Sequence, residues 1–131
     1  DGDNWPLTWA DDEALYTTWG DGTGFVPKVE KKLSMGFARV TGAPESFSGV
    51  NIRSAAEQLG QGRAGKKGWG LLCVNGVLHL WLGHADNQGA TAQLAWSGDH
   101  AKSWTFADWK FAEFGMMGFV AKSIIAKLLG L

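Results

Sequence analysis

Carboxylates in turns and tryptophans on strands are the side chains through which this sequence could do chemistry. Asp11-Asp12-Glu13 and Gly20-Asp21-Gly22 are acidic turns, and Asp86 follows an apolar run directly in His84-Ala85-Asp86-Asn87. Paired carboxylates can serve as general acid and base, and loops at strand ends are where such groups usually collect. Asp12 and Asp86 are therefore candidate catalytic groups, with His84 beside Asp86 on the expected rim. Acidic turn residues also cap backbone amides or lie in solvent, and turn composition alone produces them. Tryptophan has a similar double use, since its ring can stack on a ligand or fill a core. Of the 8 tryptophans, Trp5, Trp9, Trp19 and Trp81 sit near expected strand ends and are the candidates for ligand contact. Most of the eight fall at alternating strand positions, and five or more are expected in packing.

Metal and nucleotide chemistry find less support. His79 and His84 differ by an odd number of positions, so an extended strand would point them to opposite faces, against a zinc site with Asp86. The loops Asp1–Asn4, Asp21–Gly24 and Asp86–Gly89 could offer oxygens to calcium, but none has the spacing of an EF-hand. Gly20–Gly24 lacks the lysine and following helix of a phosphate-binding loop. The expectation is no cofactor, with calcium as the one possibility.

These groups must be positioned by strands. Leu71–Val74 and Val77–Leu82 flank Asn75-Gly76, a pair that accepts the positive φ of a type I′ hairpin turn. Thr91–Ser97 reads as a third strand and Ser103–Phe111 as a fourth, a meander the size of one propeller blade. Earlier in the chain, Trp5–Trp9, Ala14–Trp19, Leu33–Val40 and Phe47–Ile52 carry strand composition, separated by turn-rich segments. Residues 54–67 read as a linker with one helical turn near Ala55–Leu59. A shift of 63 residues lays Asp12-Glu13 on Asn75-Gly76 and Leu15 on Leu78, and a shift of 57 lays Phe37 on Leu94 and Phe47 on Trp104. The expected fold is mainly β, with two four-stranded antiparallel propeller-like blades over about 5–54 and 67–114. Residues 115–131 form an amphipathic tail, in which Phe119, Val120, Ile124, Leu128 and Leu131 recur at helical spacing with Lys122 and Lys127 opposite.

Composition bounds the function. At 131 residues the chain is long enough for one domain with a core. A net charge of −1 removes the basic footprint of a nucleic-acid binder. No apolar run approaches membrane-spanning length, although a cationic amphipathic tail could touch a membrane surface. The single cysteine, Cys73, excludes an internal disulfide and reads as a small strand hydrophobe. The chain opens at Asp1 with neither a start methionine nor a signal segment, which fits a processed or a trimmed protein.

Ser97-Gly98-Asp99-His100-Ala101-Lys102-Ser103-Trp104 resembles the Asp box of sialidase-like propellers, Ser-x-Asp-x-Gly-x-Thr-Trp. Ser97, Asp99 and Trp104 match, Ser103 is a conservative replacement, and Ala101 stands where glycine is expected. The box is structural, so Asp99 is not a catalytic candidate. More widely, DNWPLTWADDEALYTTWGDG, LSMGFARVTGAPESFSGVNI, GLLCVNGVLHLWL, HADN and AWSGDHAKSWTFADWKFAEFG resemble the N-terminal part of bacterial secreted proteins of unassigned function. Those proteins are related to five-bladed glycosidase propellers and are roughly three times longer. The resemblance runs from Asp3 to about Gly115 and ends where MMGFVAKSIIAKLLGL replaces a further strand. It implies two blades of a larger ring, an extracellular or periplasmic location and a carbohydrate partner. Glycoside hydrolysis uses two carboxylates flanking the sugar, and the resemblance makes Asp3 in Asp3-Asn4-Trp5-Pro6 the candidate base. Glu45 and Glu113 are the remaining candidates for the acid. Two functions are expected on these grounds: a glycosidase-like carbohydrate-active module, or a non-catalytic domain that holds a glycan or self-assembles into a homo-oligomer through its open sheet edges.

Overall fold

The computed structural model describes residues 1–112 and 115–120. Within them the chain forms two antiparallel sheets in sequence order. The first is a meander of β1 (Leu7–Trp9), β2 (Leu15–Trp19), β3 (Leu33–Thr41) and β4 (Ser48–Ile52), with a short β5 (Gln58–Leu59) pairing the start of β3. The second is a meander of β6 (Lys67–Val74), β7 (Val77–Gly83), β8 (Ala92–Ser97) and β9 (Thr105–Phe106). The expected mainly β fold with two antiparallel four-stranded units is present.

The turn chemistry works as its residues require. Asn75 and Gly76 have φ of 49° and 77°, the left-handed pair that a two-residue hairpin needs. The repeat is also a repeat of register. Leu15 pairs with Val40 in the first sheet, and Leu78, the residue 63 positions later, pairs with Ser97, which lies 57 positions after Val40. Identity between the halves is slight because the pairing pattern, not particular side chains, repeats.

Alternation then decides the faces. Tyr16, Met35 and Phe37 from the first sheet meet Leu71, Leu78, Leu80 and Leu82 from the second in one buried core. The two sheets come very close: a Cβ on Gly68 of β6 would fall 2.3 Å from the Thr18 side chain of β2. Trp104 stacks on Phe37 with ring centroids 5.1 Å apart and so joins the sheets. Glycine and aromatic content are two sides of one device. Trp19 lies over its cross-strand partner Gly36, where a Cβ would sit 2.3 Å from the indole, and Trp69 lies over Gly83 in the same way.

Three expectations are corrected. Residues 54–66 hold no helical turn: Ala56 enters the core and Gln58–Leu59 pair with β3 instead, since β3 has an open edge there to satisfy. The fourth strand of the second sheet is two residues long; beyond it the chain reaches β8 through one hydrogen bond from the Ala107 N–H to Leu94 and an isolated bridge of two between Phe111 and Ala92. Residues 115–120 are not helical; they run across the outer face of the second sheet, with the Met117 carbonyl against Gly70 and Phe119 stacked on Trp81. The remainder of the expected amphipathic helix, and Glu113, lie outside the described residues. No helix among the described residues is long and apolar enough to cross a membrane.

Candidate functional site

A cleft of about 220 Å³ opens between the sheets at the end where β2 and β7 finish and β6 begins. Its wall includes Asp3, Asp21, Lys67, Trp69, His84 and Met116. Asp3 is held there by an antiparallel bridge to Gly20, with reciprocal backbone hydrogen bonds of 2.8 Å. Its carboxylate is exposed and stays close to the strand, since a Cβ on Gly20 would meet Oδ1 at 3.0 Å. Asp21 follows Gly20 with φ of 51°, a left-handed conformation that a short polar side chain tolerates and that marks the sharp exit from β2.

Lys67 is the group that sequence reasoning left unassigned. It opens β6, and its side chain is 6% exposed and ion-paired to Asp21. The Gly62 N–H also donates to Asp21, at 2.8 Å. Burial works to raise the Asp21 pKa, but the hydrogen bonds from Lys67 and Gly62 and the lysine charge outweigh it and hold the carboxyl below its ordinary value. Lysine entering an apolar strand was the available signal, because a buried ammonium requires a carboxylate partner. Trp69 occupies the bulge between Gly68 and Gly70 and meets His84 edge to face at 5.8 Å. His84 has φ of 53°, which swings it out of the β7 alternation, and its buried Nδ1 has no hydrogen-bond partner among the described residues. The cleft thus offers exposed carboxylate oxygens, an imidazole and an indole beside a buried ion pair. These groups can hydrogen-bond hydroxyls and stack on a ring.

The other nominated residues lie elsewhere. Asp12 sits at the opposite end of β2, where it accepts hydrogen bonds from the Ala14 N–H, the Tyr16 hydroxyl at 2.9 Å and the Arg39 Nε at 3.2 Å. Burial raises its pKa, and these donors more than reverse that. Asp3 and Asp12 therefore flank no common space. Asp86 is absent from the cleft wall and caps its own loop, accepting from the Gln88 and Ala90 N–H groups, which lower its pKa. Trp19 is fully buried and has no face to offer a ligand. Trp81 is covered by Trp109, Phe111 and Phe119. Trp5 and Trp9 line a separate groove of about 360 Å³ on the outer face of the first sheet, with Leu7, Leu15, Phe25 and Phe47. Its lining is almost wholly apolar, so it offers a sugar few of the hydrogen bonds its hydroxyls would lose from water.

The oxygen-bearing loops are internally occupied. Asp1 accepts from the Thr23 hydroxyl at 2.9 Å, and its ammonium donates to the Gly24 carbonyl. His79, on the outer face opposite Trp96, does not converge with His84 and Asp86. In the Ser97–Trp104 turn, Asp99 accepts from the Ser97 hydroxyl at 2.8 Å and from the N–H and hydroxyl of Ser103. Ser103 is the larger cause of its pKa falling to about 2. Ala101 adopts φ of 69° in this turn, the conformation for which glycine was expected. Family models, curated proteins and solved structures gave no match to this chain.

Proposed function

We propose that the cleft binds a carbohydrate and that the chain is a carbohydrate-active module, built as part of a glycosidase-type β-propeller. The observation that carries this reading is the convergence of Asp3, Asp21, His84 and Trp69 on one space between two sheets of repeated register. In this reading Trp69 walls the sugar site, His84 and Asp21 hold hydroxyls, and Asp3 is the base toward which the reacting carbon is turned. The Lys67–Asp21 pair fixes the Asp21 oxygens and keeps that carboxylate ionised. A retaining or inverting outcome would follow from the second carboxylate, the proton-donating acid, which is not Asp21, held ionised by Lys67, and would be supplied by a further blade.

The test is a panel of plant and bacterial polysaccharide fragments, read by tryptophan fluorescence and by release of reducing ends. Binding is expected to weaken at least tenfold in Trp69→Ala, while Asp3→Asn keeps binding and loses any turnover. Binding or turnover indifferent to both changes would place the function elsewhere.

A second reading rests on the groove. Leu7, Trp9 and Phe47 are 55%, 65% and 59% exposed around it, and contiguous apolar patches commonly mark association. By the repeat, Leu15 and Thr17 in the groove correspond to Leu78 and Leu80, which already pack against a neighbouring sheet. A non-catalytic, self-assembling domain is the function this surface favours.

A further inference from the structure

At the end of the sheets opposite the cleft, three turns meet. Asp11 and Asp12 belong to the β1–β2 turn, Asn75-Gly76 to the β6–β7 turn, and His100 to the β8–β9 turn. The His100 Nε2 lies 2.8 Å from Asp11 Oδ1, and the imidazole stacks on Tyr16 at 5.3 Å. One ligand atom from each of Asp11, Asp12 and His100 can be chosen so that all lie within 4.8 Å of one another, the one such group among the described residues.

We propose that Asp11, Asp12 and His100 form a binding site for a divalent transition metal ion such as Zn2+, which ties the first sheet to the second. Zinc takes imidazole nitrogen and carboxylate oxygen at about 2.0–2.2 Å in a tetrahedron whose edges are about 3.3 Å. The Asp11–His100 contact opens by about half an ångström to admit the ion, and the Asp12 oxygen closes toward it. All three residues are on turn tips, where such movements are small. Asp12 comes to the site already oriented: Tyr16 and Arg39 hold Oδ2, and among the described residues Oδ1 accepts from the Ala14 N–H alone, which leaves it a second lone pair. Arg39 is the charged group that opposes the ion. It is 43% exposed, so solvent screens it, and the two carboxylates outnumber it. The half-buried Cys73 thiol is not among the groups that converge here. Three protein ligands leave the fourth position to water. The imidazole selects zinc, nickel or copper over calcium and magnesium, which prefer oxygen alone.

The experiment is calorimetric titration of the whole chain with Zn2+ and, separately, Ca2+ in a non-chelating buffer, with the His100 imidazole followed by NMR. One Zn2+ per chain is expected, with movement of the His100 ring signals and no heat with Ca2+. His100→Ala and Asp11→Asn are each expected to weaken binding at least tenfold. Asp11→Asn also serves as the control should His100→Ala disturb the turn. Absence of Zn2+ binding, or binding that neither substitution weakens, would overturn the proposal.

Discussion

Tryptophan walls both the cleft and the groove, yet the two spaces differ in everything else. In the cleft the Trp69 ring stands beside an imidazole, exposed carboxylate oxygens and a buried ammonium. In the groove Trp5 and Trp9 stand among leucine, valine and phenylalanine with scarcely a polar atom. The groove is the roomier, about 360 against 220 Å³, but room is not recognition. A sugar gives up hydrogen bonds to water on binding and needs them replaced, whereas another apolar surface does not. The same residue type therefore walls a polar space in one place and an apolar one in the other, and its neighbours decide which chemistry each space can accept.

The contrast can be broken most severely from beneath the groove. Trp19 is fully buried under Trp5, with centroids 5.7 Å apart. Trp19→Ala should cost about 3–5 kcal/mol in chemical denaturation, removing the ring on which the groove residues Trp5 and Phe25 pack while the cleft groups keep their own contacts. A loss under about 1 kcal/mol would mean that the groove is not built on this ring.

Next comes the ion pair of the cleft. Lys67→Met should destabilise by about 2 kcal/mol, less than for a fully buried pair because the Asp21 side chain is 27% exposed. The pH dependence fixes the sign. The folded Asp21 pKa lies below its unfolded value, so its contribution is present above about pH 4 and is lost as pH falls through the depressed folded value. Thermal melts between pH 6 and 2 should therefore show a smaller acid loss in Lys67→Met than in the parent. Parallel curves would remove the lysine as the cause.

The smallest effect belongs to the groove rim. Trp9 is 65% exposed, so Trp9→Ser should change stability by no more than about 0.5 kcal/mol. Light scattering on the same variant should show weaker self-association than the parent. An unchanged associated mass would leave the groove without that role.

Turns and strand periodicity were legible in the residues themselves. Asn75-Gly76 takes positive φ cheaply, Val77–Leu82 alternates, and the shifts of 63 and 57 residues carry one hairpin register onto the other; each depends on neighbours a few positions away. Asp3 could be named beforehand only through a resemblance; of its companions, Asp21 and His84 stood out as a turn carboxylate and a rim imidazole, whereas Lys67 and Trp69 did not. Asp21, Lys67, Trp69 and His84 come from three segments, and only the stacking of β6 against the first sheet brings them together. Ser54–Lys67 misled for the same reason: its local composition suits a turn of helix, but the open edge of β3 takes Gln58–Leu59 as a strand. Trp19 and Trp9 look alike in sequence, each at a strand end. One is buried because Gly36 on the adjoining strand leaves room for its ring, and the other faces outward and is exposed. Local conformation is set by the residue and its nearest neighbours, so strands, turns and repeat can be read along the chain. Burial, ion pairing and the make-up of a site depend on contacts between distant segments, and those exist once the sheets have packed.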